Sequence, residues 1–166
     1  MKDVLAVISL RPRSWAFPLG VALLLASAGA SAQIEVENPW IRATPPGARM
    51  AAGYAVLRNA GTTPDRLVSG QAPGRADRVE THVTQRDGEV LRMREVPGYE
   101  IPAGGRFELE PGGAHLMFID IARPFREGET VPVTLRFEKA GDVKVEFRVT
   151  RTGPSHGHGH GHGHGH

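Results

Sequence analysis

Hydrophobic and polar residues alternate with period two along much of this chain, the pattern of strands that bury one face. Val131, Val133, Leu135 and Phe137 alternate with Pro132, Thr134 and Arg136. Val143, Val145, Phe147 and Val149 then alternate with Lys144, Glu146, Arg148 and Thr150. Ala140-Gly141-Asp142 stands between the two runs, so they predict an antiparallel hairpin. Shorter strands are predicted near 34–42, 50–58, 66–69, 78–83, 90–96, 106–109 and 114–121. Turn chemistry separates them, as in Thr44-Pro45-Pro46-Gly47, Asn59-Ala60-Gly61, Asp87-Gly88, Ala103-Gly104-Gly105, Pro111-Gly112-Gly113 and Arg126-Glu127-Gly128. No amphipathic helical period follows residue 33. About seven to nine strands with Gly- and Pro-rich turns predict an all-β fold, a sandwich or small barrel.

The two ends do not share this pattern. Lys2, Arg11 and Arg13 precede an apolar run from Trp15 to Leu25, and Ala30-Ser31-Ala32 supplies a small-x-small cleavage site. That combination predicts a signal peptide over residues 1–32, with Gln33 as the new N-terminus. The run is shorter than the roughly 20 apolar residues of a membrane span, so no stable membrane insertion is expected. The expected domain occupies residues 33–152. From residue 153 the chain becomes Gly153-Pro154-Ser155 and then strict His-Gly alternation, with His156, His158, His160, His162, His164 and His166. A segment without apolar residues has nothing to bury and is expected to stay disordered.

Composition narrows the function. Without the leader's three basic residues and one acidic residue, the totals of 20 and 18 become 17 and 17. A formally neutral exported chain gives no electrostatic case for nucleic acid as a partner. The chain contains no cysteine. It must hold together by packing alone, and any soft-metal site must use methionine thioethers in place of thiolates.

Outside the tail there are two histidines, His82 and His115, both on predicted strands. In a strand, residues i and i+2 share a face. His115-Leu116-Met117 therefore presents an imidazole beside a thioether, with Leu116 on the opposite face. Met93 sits between Arg92 and Arg94, a poor setting for ordinary packing. Singly, a strand Met reads as core or gap-filler and a strand His as a hydrogen-bonded or surface residue. The residues alone leave packing and metal ligation both open.

Spacing adds to this. His82, Met93, His115 and Met117 follow the pattern H-x10-M-x21-H-x-M, which resembles the periplasmic copper chaperone family PCu(A)C. The likeness runs through Trp40-Ile41-Arg42, Ala52-Gly53-Tyr54, Asn59, Asp65-Arg66-Leu67-Val68, Ile101-Pro102-Ala103-Gly104-Gly105, Pro111-Gly112-Gly113-Ala114-His115-Leu116-Met117 and Leu135-Arg136-Phe137. It covers nearly all of residues 34–149. The resemblance implies a cupredoxin-like Greek-key β-barrel, a periplasmic location and a Cu(I) site near the surface. His82, Met93, His115 and Met117 would be its ligands. Val83 stands where many family members carry an additional Met after the first His. The resemblance also implies delivery to a cytochrome c oxidase copper centre, or exchange with a Sco-type copper protein.

Two neutral imidazoles and two thioethers form a mostly soft, uncharged shell that favours Cu(I) over Cu(II), Zn(II) or Ni(II). Trp40 could shield such a site, although its simpler reading is a core aromatic. The six tail histidines suit Cu(II), ahead of Ni(II) and Zn(II). A blue-copper electron carrier is excluded because it needs a Cys ligand. No Ser/His/Asp arrangement or carboxylate pair suggests a hydrolase, so no enzyme activity is expected. The competing reading is a periplasmic Zn, Ni or Cu buffer that works mainly through the tail.

Overall fold

The computed structural model describes residues 33–153, all of them strand, turn or loop. The expected signal peptide, residues 1–32, and the His/Gly run from residue 154 lie outside the described residues. No helix among the described residues is long and apolar enough to cross a membrane.

Among the described residues ten strands form: β1 (Ile34–Arg42), β2 (Met50–Asn59), β3 (Asp65–Gln71), β4 (Ala76–Asp87), β5 (Val90–Glu95), β6 (Tyr99–Ile101), β7 (Arg106–Leu109), β8 (Ala114–Ile121), β9 (Thr130–Phe137) and β10 (Gly141–Thr150). Seven of them close on themselves in the order β4-β8-β2-β1-β10-β9-β3, with the β3–β4 pairing completing the ring. All neighbours in the ring are antiparallel except β1 and β10. This is the cupredoxin-like barrel expected from the resemblance. Closure removes the exposed strand edges that a flat sheet would leave.

Alternation explains the interior. On β9, Val131, Val133, Leu135 and Phe137 are buried while Thr130, Pro132 and Arg136 are exposed. Phe118 meets Phe125 and Phe147 edge-on, with ring centroids 5.6 and 6.3 Å apart. Each buried ring contributes about 1.5–3 kcal/mol. The β9–β10 hairpin forms as expected, but its turn is Glu138-Lys139-Ala140, two residues earlier than the sequence pattern suggests. Gly141 already pairs with Phe137, in the left-handed conformation at φ 74°.

β1 contains an irregularity that matters for the site. Its register against β2 shifts between Glu37 and Trp40, and Asn38 has φ 50°. Before the shift Val36 pairs with the inward Leu57; after it Ile41 pairs with Gly53. One extra residue reverses which face each side chain takes. Trp40 is therefore turned outward beside Tyr54. It is buried, but it is not in the core cluster, which corrects the reading of Trp40 as a core aromatic.

Candidate metal centre

The outer face of β5-β4-β8-β2 gathers the chemistry. β7 and β8 both pair with β2, and the Pro111-Gly112-Gly113 turn loops out between them. That turn delivers His115 to the start of β8, directly opposite His82 on β4. Their ring centroids are 6.0 Å apart. Leu116 points into the core. Met117, on the outer face with His115, pairs with Glu80 on β4 and Ala52 on β2. His115 is 2% exposed and Met117 7%, so the site is more enclosed than the expected surface position.

Met93 is placed differently. It pairs with Thr84, while Glu95 is the residue opposite His82. Such diagonal neighbours are about 7–8 Å apart, within reach of a long side chain. Met93 is 60% exposed. The structure thus brings His82, His115 and Met117 onto one stretch of paired strand and leaves Met93 at its rim. Hydrogen bonds between Thr81 and Val96 (Val96 N–H to Thr81 O, 2.8 Å; Thr81 Oγ1 to Val96 O, 2.7 Å) pin the end of β5 to β4.

The protonation pattern of the two rings follows from their partners. A carbonyl or carboxylate oxygen only accepts, so the ring nitrogen facing it must carry the proton. His115 Nδ1–H donates to Gly113 O at 3.0 Å, and His82 Nε2–H donates to Glu80 Oε2 at 3.0 Å. The remaining nitrogens, His82 Nδ1 and His115 Nε2, are buried without a hydrogen-bond partner among the described residues. Burial, reinforced by the neighbouring His82, holds the His115 pKa below the ordinary imidazole value, against the opposing effect of its bond to Gly113. The ring is thereby kept in the neutral form that can ligate a metal.

Two tyrosines that the spacing does not reveal support this arrangement. Tyr99, inside the barrel and stacked on Phe107 at 4.9 Å, reaches between the two histidine backbones. Its hydroxyl contacts His82 O and His115 O and accepts from His115 N–H at 3.2 Å. Burial pushes its pKa up to about 12, so it stays a neutral donor. On the outer face, Tyr54 lies 6.4 Å from the His115 ring and 4.4 Å from Trp40. Trp40 thus walls one side of the site at one remove. Among the described residues, no group of three or more His, Cys, Asp or Glu is placed to hold a metal ion.

This barrel is the fold of PCuAC domains. Its fold matches the copper-bound PCuAC domain from PmoF2 with a TM-score of 0.61 and 28% identity, covering 74% of this chain and 97% of that one. The solution structure of CuI-DR1885 from Deinococcus radiodurans matches with a TM-score of 0.58 and 31% identity, covering 75% and 84% of the two chains. Residues 34–149 match the LpqE-like family, and the chain belongs to that family. A protein of Leifsonia xyli subsp. xyli (strain CTCB07), Lxx21020, which carries a lipoprotein name, is 31% identical over 105 residues. That match spans 63% of this chain and 61% of the relative.

Proposed function

We propose that this protein is an exported copper chaperone whose barrel binds Cu(I) through His82, His115, Met117 and Met93. The observation that carries the reading is the pair of buried ring nitrogens, His82 Nδ1 and His115 Nε2, that have no hydrogen-bond partner among the described residues. Buried polar atoms in a folded protein are normally paired. Two unpaired acceptors on directly opposed residues, with a thioether beside them, make a soft donor set. The nearby Glu80 carboxylate is already taken up by His82 Nε2–H, and no group of three or more His, Cys, Asp or Glu among the described residues is placed to hold a metal ion, so thioethers are the donors proposed to complete the shell. The copper-bound PmoF2 domain and CuI-DR1885 support copper as the ion.

The exposure gradient suits transfer. Met93, at the rim, would let go first as an acceptor donates its own ligand, and the enclosed His115 last. The acceptor proposed is a cytochrome c oxidase copper centre or a Sco-type copper protein. Export accords with the lipoprotein name of the relative. The 166 residues include no cysteine for a thioether-linked lipid, so that name is carried over for export and not for lipidation of these residues.

The His156–His166 run is proposed to capture additional Cu(II). Its starting point favours cooperation with the barrel. Gly153 lies against Trp40, where a Cβ would meet Cζ2 at 2.9 Å, and Trp40 packs at a tilt against the Tyr54 beside His115. A flexible Gly-rich chain of thirteen residues has in general a root-mean-square reach of about 20 Å, the scale on which such cooperation is proposed.

The test is a Cu(I) competition titration against a chromophoric chelator, on residues 33–153. One tight equivalent is expected, and Met93→Leu with Met117→Leu should weaken it by about 100-fold or more, since even outer-shell changes cost 10–100-fold. Binding that ignores both methionines would move the function to the tail, as the buffer reading requires. For the tail, Cu(II) stoichiometry should fall when residues 154–166 are removed; equal stoichiometry would refute its role.

A further inference from the structure

We propose that Glu80 is the positioning residue of the metal centre, holding His82 in the tautomer that offers Nδ1 to the metal. This rests on the reading of His82 as a copper ligand. Glu80 lies two residues before His82 on β4 and therefore shares its outward face. Its partner across the ladder is Met117, so the carboxylate stands beside the donor set. Only 18% of its side chain is exposed, an unusual degree of burial for a glutamate on an outer face.

Both carboxylate oxygens are engaged. Oε2 accepts the His82 Nε2–H bond at 3.0 Å, and Oε1 lies 3.5 Å from Arg78 Nε. The Arg78 side chain is largely exposed, so this second contact is a surface ion pair. A proton fixed on Nε2 leaves the His82 lone pair on Nδ1, the atom that is buried and unpartnered. His115 reaches the mirror-image state by another route, since Gly113 O holds its Nδ1–H and leaves Nε2 free. The two imidazoles therefore offer different nitrogens. The donor on His82 sits next to Cγ and the donor on His115 at the far end of its ring.

Glu80 has a second consequence. Two imidazoles and two thioethers leave the charge of a bound cuprous ion uncompensated. A carboxylate hydrogen-bonded to a ligand imidazole increases the basicity of that ligand and places negative charge one ring away from the metal. Backbone Gly113 O can orient His115 but brings no such charge, so Glu80 is not interchangeable with a carbonyl.

Two variants of the full chain separate geometry from charge. Glu80→Gln keeps an oxygen able to accept from Nε2–H; Glu80→Ala keeps neither oxygen nor charge. The readouts are the His82 ring nitrogen shifts in long-range proton–nitrogen NMR, with and without one equivalent of Cu(I), and the Cu(I) affinity by chelator competition. In the parent, apo His82 should be in the Nε2–H form and Cu(I) should shift Nδ1. Glu80→Ala should give a mixture of tautomers and an affinity about 10–100-fold lower, the range found for outer-shell partners of metal ligands. Glu80→Gln should keep the tautomer and lose less than about 10-fold.

An unchanged tautomer and unchanged affinity in Glu80→Ala would reduce Glu80 to a surface ion pair with Arg78 and overturn the proposal. A Cu(I)-induced shift at Nε2 in the parent would overturn it too, because the metal would then displace the carboxylate. A parent that binds Cu(I) with neither His82 nitrogen responding would instead overturn the ligand reading itself.

Discussion

Replacing His115 by leucine is expected to leave the apo barrel at least as stable as the parent while lowering Cu(I) affinity by about 100-fold or more. The two halves of this result have separate causes. His115 Nε2 is buried with no hydrogen-bond partner among the described residues, and an unsatisfied buried polar atom costs about 1–3 kcal/mol. Leucine is of comparable bulk and removes that atom. It also gives up the bond from Nδ1 to Gly113 O, but that carbonyl keeps another donor, Thr84 N–H at 3.1 Å. No backbone group is therefore orphaned. Tyr54, 6.4 Å from the His115 ring, still packs on Trp40. Loss of a direct ligand should cost more than loss of an outer-shell partner, which is worth 10–100-fold. Urea denaturation of the apo form and chelator competition report the two quantities independently. The parent should gain about 2.7 kcal/mol at free copper 100-fold above its dissociation constant, and the variant should gain almost nothing. A variant that unfolds more easily than the parent and still binds Cu(I) as tightly would mean that His115 is a packing residue whose free nitrogen carries no function.

That opposition between apo stability and ligation bears on what could be read from the residues alone. The alternation of Val131, Val133, Leu135 and Phe137 was legible because one face of β9 is buried and the other wet. The same logic placed His115 and Met117 on one face with Leu116 on the other, as observed. It failed where period two is interrupted. The bulge at Asn38 turns Trp40 outward, and a single extra residue leaves no compositional mark. β6 is only Tyr99–Ile101, too short to show a period, so the Tyr99 hydroxyl between the two histidine backbones was invisible. The pairing of His82 with His115 depends on the register of β4 against β8, which the buried faces of both strands set jointly. Glu80 did carry a signal, since it stands two residues before His82 on the same strand face. The mismatch of Met93 with its flanking arginines was also real. Leu91 and Met93 share the outer face of β5 and are both largely exposed, so this methionine is not held by packing.

Asp65→Ala should do the reverse of His115→Leu, destabilising the barrel by about 3 kcal/mol without altering the metal centre of the molecules that stay folded. Asp65 is 2% exposed, and its carboxylate serves three backbone donors. Oδ1 accepts from Arg66 N–H at 2.7 Å and Lys139 N–H at 2.9 Å, and Oδ2 accepts from Ala140 N–H at 2.9 Å. Lys139 and Ala140 belong to the β9–β10 turn, whereas Asp65 starts β3, which pairs with β9, β6 and β4. The carboxylate therefore ties a hairpin turn to the strand that closes the barrel. Hydrogen bonds to a charged group contribute about 1.5–3 kcal/mol each. The three share one side chain, and water can reach the exposed Lys139 in the variant, so the expected loss is well below their sum. Asp65→Asn should lose a large part of the same energy. Its Oδ1 can still serve two donors, but its amide group would face the Ala140 N–H with another donor. None of these atoms touches His82, His115 or Met117, so Cu(I) affinity measured below the urea transition should match the parent. A shift in the urea midpoint with an unchanged slope and unchanged affinity would assign Asp65 to barrel closure. A loss under about 0.5 kcal/mol would mean that the turn finds other acceptors and that closure rests on strand pairing and the core alone.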